Sequence, residues 1–240
     1  MAERLTLKDI ARMIDHSLLR PNLTVEEFNE GIALAARYRC ATVCVVPYDV
    51  KRAAQMLRGT GVLVSTVVDF PHGSNLTSSK IYQVERAVEN GAKEIDMVLA
   101  ISRLVSGDFG YVEQDVRAVV EAAHTHNAVI KVIFENCYLS ADRIKTACEI
   151  CERVQADYVK TSTGYGPAGA TLEDVRLMRM SCNPRIGVKA AGGIRTLDDV
   201  LAYRSAGAKM IGTRATAAIL DEAARREASG KLQESITEHK

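Results

Sequence analysis

The sequence predicts a single-domain α/β protein, a (β/α)8 TIM barrel built from residues 1–240. Three observations predict it. Short β-branched runs recur eight times along the chain. Their centres lie about 23 to 35 residues apart, which is room for one helix and two short loops. The runs are apolar almost throughout instead of alternating, as in a parallel sheet buried on both faces. Eight such units in 240 residues suit a closed barrel. A doubly wound open sheet is the alternative, and no G-x-G-x-x-G follows an early strand to favour its dinucleotide-binding form.

In chain order, strands are expected near Met13–His16, Thr42–Val46, Leu63–Phe70, Glu94–Leu99, Val129–Glu135, Tyr158–Lys160, Gly187–Lys189 and Met210–Gly212. After the first strand, Thr24-Val-Glu-Glu27 sets a hydroxyl three residues before an acid, so each can satisfy the other's exposed amide at a helix start. Thr171-Leu-Glu-Asp174 and Thr196-Leu-Asp-Asp199 repeat the pattern after the sixth and seventh strands, with Asp for Glu. Asn90-Gly91 and Ala206-Gly207 close the helices before the fourth and eighth strands, because glycine tolerates the left-handed residue that ends a helix. Both run on into Ala-Lys and a strand (GAKEID and GAKMIG), a weak internal echo of the βα unit. A helix over Ala141–Val154 separates the fifth and sixth strands, and residues 221–240 read as a solvated terminal helix and tail without tyrosine.

Composition narrows the function. Hydrophobic residues make up 47% and charged residues 25%, which argues against disorder. Thirty-one basic against thirty acidic side chains leave a formal charge of +1, so nothing favours nucleic acid or an acidic membrane surface. No apolar run reaches the roughly 18 residues of a membrane span, and the start MAERLTLKDIARMID lacks the apolar region of a signal peptide. The six cysteines, Cys40, Cys44, Cys137, Cys148, Cys151 and Cys182, therefore read as reduced, and the location as cytoplasmic. Cys148-Glu-Ile-Cys151 falls inside a helix and has no second pair at zinc spacing, so neither a redox motif nor a metal site is expected. Cys44, His16 and His72 read first as packing or structural residues, and His124 and His126 face different directions on their helix.

The informative feature is charge where strands should be apolar, because an unpaired buried charge costs several kcal/mol. Asp15, Asp69, Asp96, Lys131, Glu135, Lys160 and Lys189 all lie in or at the ends of predicted strands. In a barrel the carboxyl ends of the strands form the catalytic mouth. Lys160 and Lys189 end neighbouring strands, which places two ammonium groups together in a desolvated space. Desolvation and like charge both favour the neutral amine, the nucleophile that forms a Schiff base with a carbonyl. The competing reading is a structural ion network of these lysines with Asp96 and Glu135. Gly192-Gly193 after the seventh strand and Gly212-Thr213-Arg214 after the eighth fit the usual barrel phosphate site, where bare amides and helix starts face the anion. A tight βα turn alone would also explain the glycine pair. Thr161-Ser-Thr-Gly164-Tyr-Gly166 adds a hydroxyl-rich loop at the same mouth, with Tyr165 as a wall.

These residues carry a family resemblance. IDHSLL (14–19), TVCVVP (42–47), VVDFPHG (67–73), GAKEIDMV (91–98), VKTSTGYG (159–166) with GAT (169–171), and VKAAGGIRT (188–196) make the chain resemble the deoxyribose-phosphate aldolases, class I aldolases of the barrel type. The resemblance implies a Schiff base on Lys160, a pKa-lowering role for Lys189, and proton transfer through Asp96 with ordered water. It places Asp15 near the substrate hydroxyls; the mouth loops add Thr161, Gly192, Gly193, Gly212 and Arg214 to the expected substrate-binding set. The partners it implies are a small sugar phosphate and an aldehyde, with no cofactor and no metal, and a homodimer is the prior for assembly. Two departures stand out: Thr213-Arg214-Ala215 replaces the usual phosphate-binding serines, and Asp69 stands where Gly or Asn is common. They bring in a second reading, an aldolase whose acceptor is carboxylated or unphosphorylated. A non-catalytic sugar-phosphate-binding barrel is the third, and the trio Lys160, Lys189 and Asp96 argues against it.

Overall fold

The computed structural model describes residues 4–233. Among them, eight parallel strands close into a barrel in sequential order: β1 (Ile14–Leu18), β2 (Thr42–Val45), β3 (Leu63–Val68), β4 (Glu94–Val98), β5 (Val129–Ile133), β6 (Tyr158–Lys160), β7 (Gly187–Ala191) and β8 (Met210–Thr213). The ring shuts where β1 pairs with β8, Asp15 lying opposite Gly212. The helices are α1 (Leu7–Ala11), α2 (Val25–Tyr38), α3 (Val50–Met56), α4 (Thr77–Glu89), α5 (Ile101–Ser106), α6 (Phe109–Thr125), α7 (Ala141–Arg153), α8 (Leu172–Ser181), α9 (Leu197–Ser205) and α10 (Thr216–Ala228). The expected terminal helix is α10, and the tail from 234 onward lies outside the described residues.

Helix starts follow their caps. Thr24 and Thr196 form reciprocal capping boxes with Glu27 and Asp199, and Thr171 accepts the Asp174 amide. A further box, Thr6 with Asp9, starts α1. On α2, Phe28, Gly31, Ile32 and Ala35 recur at helical spacing and are buried, so this face packs on the barrel. β2, β4 and β7 are buried along their whole length, as continuous runs in a sheet covered on both faces require. Gly187 opens β7 because a Cβ there would lie 2.1 Å from Cε1 of Tyr158.

β2 and β4 each end one residue earlier than expected, and two further strands end two residues earlier. β3 stops at Val68, since Asp69 turns the chain with φ +52°. β5 stops at Ile133, and Glu135 turns it with φ +56°. Both are left-handed conformations, uncommon for residues with a Cβ, and both belong to acids whose side chains are held by partners outside the strand. β1 runs two residues further than expected, to Leu18. The short helix α5, between Val98 and α6, has no counterpart in the expected set.

Candidate active site

The strand register assembles the site. Lys160 on β6 pairs with Lys189 on β7, and Asp96 on β4 pairs with Lys131 on β5. Their side chains converge on one carboxylate. Oδ2 of Asp96 accepts from Nζ of Lys160 and of Lys189, each at 2.6 Å. Oδ1 accepts from Nζ of Lys131 at 2.8 Å. Lys189 also donates to Asp15, whose other oxygen accepts from Thr42 Oγ1 at 2.5 Å. Lys131 also pairs with Glu94 at 2.6 Å. All these groups are buried.

Desolvation and like charge alone would treat the two lysines alike, but their surroundings differ. Burial pushes the Lys160 amine down, Asp96 opposes this, and Lys189 adds to the lowering. Burial also works against the Lys189 ammonium, but Asp15 and Asp96 together hold its pKa well above the ordinary lysine value. Burial disfavours the charged form of Asp96, yet Lys131, Lys160 and Lys189 overcome it and keep the group ionised. Lys160 is thus the amine nearest to neutrality, beside a fixed ammonium. The competing ion-network reading also describes part of what is there, since both lysines pair with Asp96. Glu135 takes no part, because its carboxylate receives the amide and hydroxyl of Thr163.

Above the amines opens a cavity of about 570 Å³. Asp15, Lys160, Lys189, Gly192, Gly193, Gly212 and Arg214 line it, as do Ser17, Arg20, Cys44, Thr163 and Tyr165. Asp96 lies beneath the lysines, outside the wall. Thr161 is also outside it: fully buried, it ties β6 to β7 through the carbonyl of Ala191 at 3.2 Å and the amide at 3.1 Å. Asp69 contributes no acid to the mouth, since its carboxylate accepts from the amide and side chain of Asn75 and pairs with buried Lys80.

Gly192 and Gly193 both have left-handed backbones, φ +90° and +83°. The loop after β6 packs closely on this turn, with the Ala170 amide reaching the carbonyls of Ala191 and Gly192, so the glycine pair serves the turn as well as the anion site. At Gly212 a Cβ would sit 3.0 Å from that of Ala191 and 3.5 Å from Cε of Lys189, so the bare residue leaves the lysine its path. Arg214 is exposed on the wall. Tyr165 crosses the opening: its hydroxyl donates to the Leu19 carbonyl at 2.6 Å and its ring meets Phe70 edge-on at 5.4 Å.

Asp15, Cys44 and Asp96 bring three ligand-type atoms within 4.8 Å of one another. Lysine ammonium groups occupy both carboxylates, and burial pushes the Cys44 thiol up to about 12, so this donor set suits ion pairs better than a cation. His16 is buried and bonds Thr216 Oγ1 at 2.8 Å, His72 is exposed outside the cavity wall, and His124 pairs with Asp157 at 3.0 Å. Arg20, Thr163, Ser17 and Lys131 were not in the expected site set. Lys131 carried a signal, a cation inside an apolar strand; Arg20 and Thr163 follow strand ends in loops, where polarity is ordinary, and Ser17 sits on the stretch of β1 beyond the expected strand end.

The DeoC/LacD family aldolase model matches residues 10–219. Deoxyribose-phosphate aldolase from Rhodopirellula baltica is 47% identical over 90% of this chain and 89% of its own. The protein of the same name from Caldanaerobacter subterraneus is 49% identical over 90% of this chain and 94% of its own. Among solved structures, the deoxyribose phosphate aldolase of Aeropyrum pernix, described as a tetramer, superposes with a TM-score of 0.85 at 30% identity, covering 91% of this chain and 93% of that one.

Proposed function

The chain belongs to the DeoC/LacD family of aldolases, and on that premise we propose that it cleaves 2-deoxy-D-ribose 5-phosphate reversibly into D-glyceraldehyde 3-phosphate and acetaldehyde through a Schiff base on Lys160. The observation that carries the assignment of the nucleophile is the unequal pair of lysines on the cavity floor. Lys160 has its pKa lowered and shares its one acid with Lys189, which has two.

The steps follow from that arrangement. Lys160 Nζ adds to the C1 aldehyde, and loss of water gives an iminium. Lys189, a lasting ammonium on the cavity wall, supplies the proton for the departing water. Removal of the C3 hydroxyl proton then breaks the C2–C3 bond, and the electron pair moves into the iminium as an enamine. Glyceraldehyde 3-phosphate leaves, the enamine takes a proton at C2, and hydrolysis returns acetaldehyde and the free amine. Asp96, Lys189 and a water form the acid–base set, with Asp96 acting through the amines above it. Asp15 orients Lys189 and faces the substrate hydroxyls. The turn at Gly192 and Gly193, the bare Gly212 and the guanidinium of Arg214 receive the phosphate, where amides and a bidentate cation suit a dianion. Thr161 serves by holding the β6 and β7 loops in place.

Arg214 also favours a second reading, a carboxylated acceptor, since its fork matches a carboxylate equally well. Intact mass after incubation with 2-deoxyribose 5-phosphate and borohydride, followed by peptide mapping, tests the first reading. An adduct on Lys160 supports it; no adduct with this sugar and one with a carboxylated analogue moves the assignment to the second. The six free thiols suit a cytoplasmic setting, and no described helix is long and apolar enough to cross a membrane. The tetrameric relative supports self-association; a homodimer is the assembly we propose, and light scattering at assay concentration reads it.

A further inference from the structure

Three lysines meet the two oxygens of Asp96. Oδ1 accepts from Lys131 at 2.8 Å and from Ser65 Oγ at 3.4 Å, while Oδ2 is shared by Lys160 and Lys189. Lys131 is fully buried and lies outside the cavity wall, so it does not touch substrate. Glu94 holds it from the other side at 2.6 Å. Resting on the reading of Lys160 as nucleophile, we propose that Lys131 is a positioning residue: by occupying Oδ1, it leaves one oxygen of Asp96 for Lys160 and Lys189 to share, and this sharing keeps the Lys160 amine free for the carbonyl.

Two amines that each sit 2.6 Å from one oxygen cannot be farther apart than twice that distance. Two positive charges so close repel in a buried site, so one amine gives up its proton more readily than an isolated lysine would. Asp15 decides which, because it supports Lys189 alone. Without Lys131, Oδ1 is released, Asp96 offers one oxygen to each remaining lysine, and its charge is no longer partly neutralised. Both changes let Lys160 keep its proton. The other groups facing Lys160 are the Cys44 thiol from β2 and the Asp15 carboxylate from β1, with Arg20, Arg195 and Arg214 on the cavity wall. Glu135, after β5, is turned to Thr163. A lysine that merely filled the barrel would affect stability and lower activity equally at every pH.

The test is the pH dependence of borohydride trapping with 2-deoxyribose 5-phosphate on the full chain, from about pH 6 to 10, with the adduct mapped. In Lys131→Met the midpoint for trapping on Lys160 moves up by about one pH unit or more, and trapping recovers at high pH. Lys131→Arg returns the midpoint toward wild type. Glu94→Gln, nearly isosteric at the edge of the core, moves it down by a smaller amount, because Lys131 then gives its charge wholly to Asp96; this variant carries the test if Lys131→Met does not fold. Midpoints that coincide with wild type in Glu94→Gln and in folded Lys131→Met overturn the proposal. Absence of any Lys160 adduct in the wild-type protein overturns the assignment of the nucleophile instead, so the two failures are distinct.

Discussion

The imidazole of His16 makes stability depend on pH in a way that can be calculated. His16 lies on β1 and is 5% exposed, with Nδ1 2.8 Å from the hydroxyl of Thr216, the first residue of α10. α2 crowds it, since a Cβ on Gly31 would lie 3.2 Å from Nε2. Burial lowers its pKa from 6.5 to about 4, against a small opposing pull from Asp15. In the unfolded chain the ring protonates near 6.5, so between the two values the unfolded state binds the extra proton and stability rises with pH. The contribution is fully present above about 6.5 and is lost as pH falls toward 4. At pH 5 the loss relative to pH 7 is about 2 kcal/mol. Below about 4 the native ring protonates too, and this loss stops growing. The assay is urea unfolding followed by circular dichroism at both pH values, on wild type and His16→Gln. All other titrating groups are common to the two proteins, so the difference in acid sensitivity isolates the ring. Equal losses in both would refute the reasoning. Thr216 follows Arg214 and Ala215 directly, so the same bond anchors the loop that carries the guanidinium assigned to the phosphate in the proposed function.

Lys160→Met should yield no borohydride adduct and reduce turnover to background, whereas Lys189→Met should keep the adduct but need higher pH to form it. Removing an ammonium roughly 5 Å from Lys160 is worth about 3 kcal/mol at an effective dielectric near 20, an upward shift of up to about 2 pH units in the acid limb of kcat/KM. An unmoved limb would refute the charge argument. Arg214→Ser should raise KM for the phosphorylated sugar by about tenfold at unchanged kcat and leave unphosphorylated 2-deoxyribose unaffected; steady-state kinetics with an unchanged KM for both would leave the guanidinium without a binding role. Gly73→Ala should destabilise the fold by about 2 to 4 kcal/mol, because φ is +65° and the new Cβ would meet the Leu99 carbonyl oxygen at 2.0 Å. A urea midpoint equal to wild type would refute it.

The barrel was legible because its strands are buried on both faces and so read as unbroken β-branched runs, while threonine caps announced three of the helices. Strand ends were less legible. Asp69 and Glu135 both look able to continue their strands, and both turn instead into left-handed backbone held by partners outside the strand: Asn75 and Lys80 in the following loop and helix for one, Thr163 after the next strand for the other. Local pattern does not contain those partners. Thr161 shows the same gap at the scale of one side chain. It follows Lys160 directly, but successive residues of an extended chain face opposite ways, so its hydroxyl meets the β7 backbone and not the cavity.

The charge assignment was the least legible feature. Lys160 and Lys189 look equivalent in sequence: each follows a valine, each lies on a short strand, and each precedes a loop of small residues. Desolvation and mutual repulsion act on both, and those two effects alone leave no reason to prefer either as the nucleophile. What breaks the tie is a carboxylate from the first strand. β1 meets β8 only because the sheet closes, and that closure sets Asp15 opposite Gly212, next to the strand that carries Lys189. Gly212 has no side chain to stand between them, so Lys189 reaches Asp15 while Lys160, one strand further round, does not. An open sheet of the same eight strands would keep both lysines on Asp96 and lose the distinction. On the proposed mechanism, the closed ring makes one amine a lasting acid and leaves its neighbour to act as the nucleophile, which is the division of labour that Schiff-base chemistry requires.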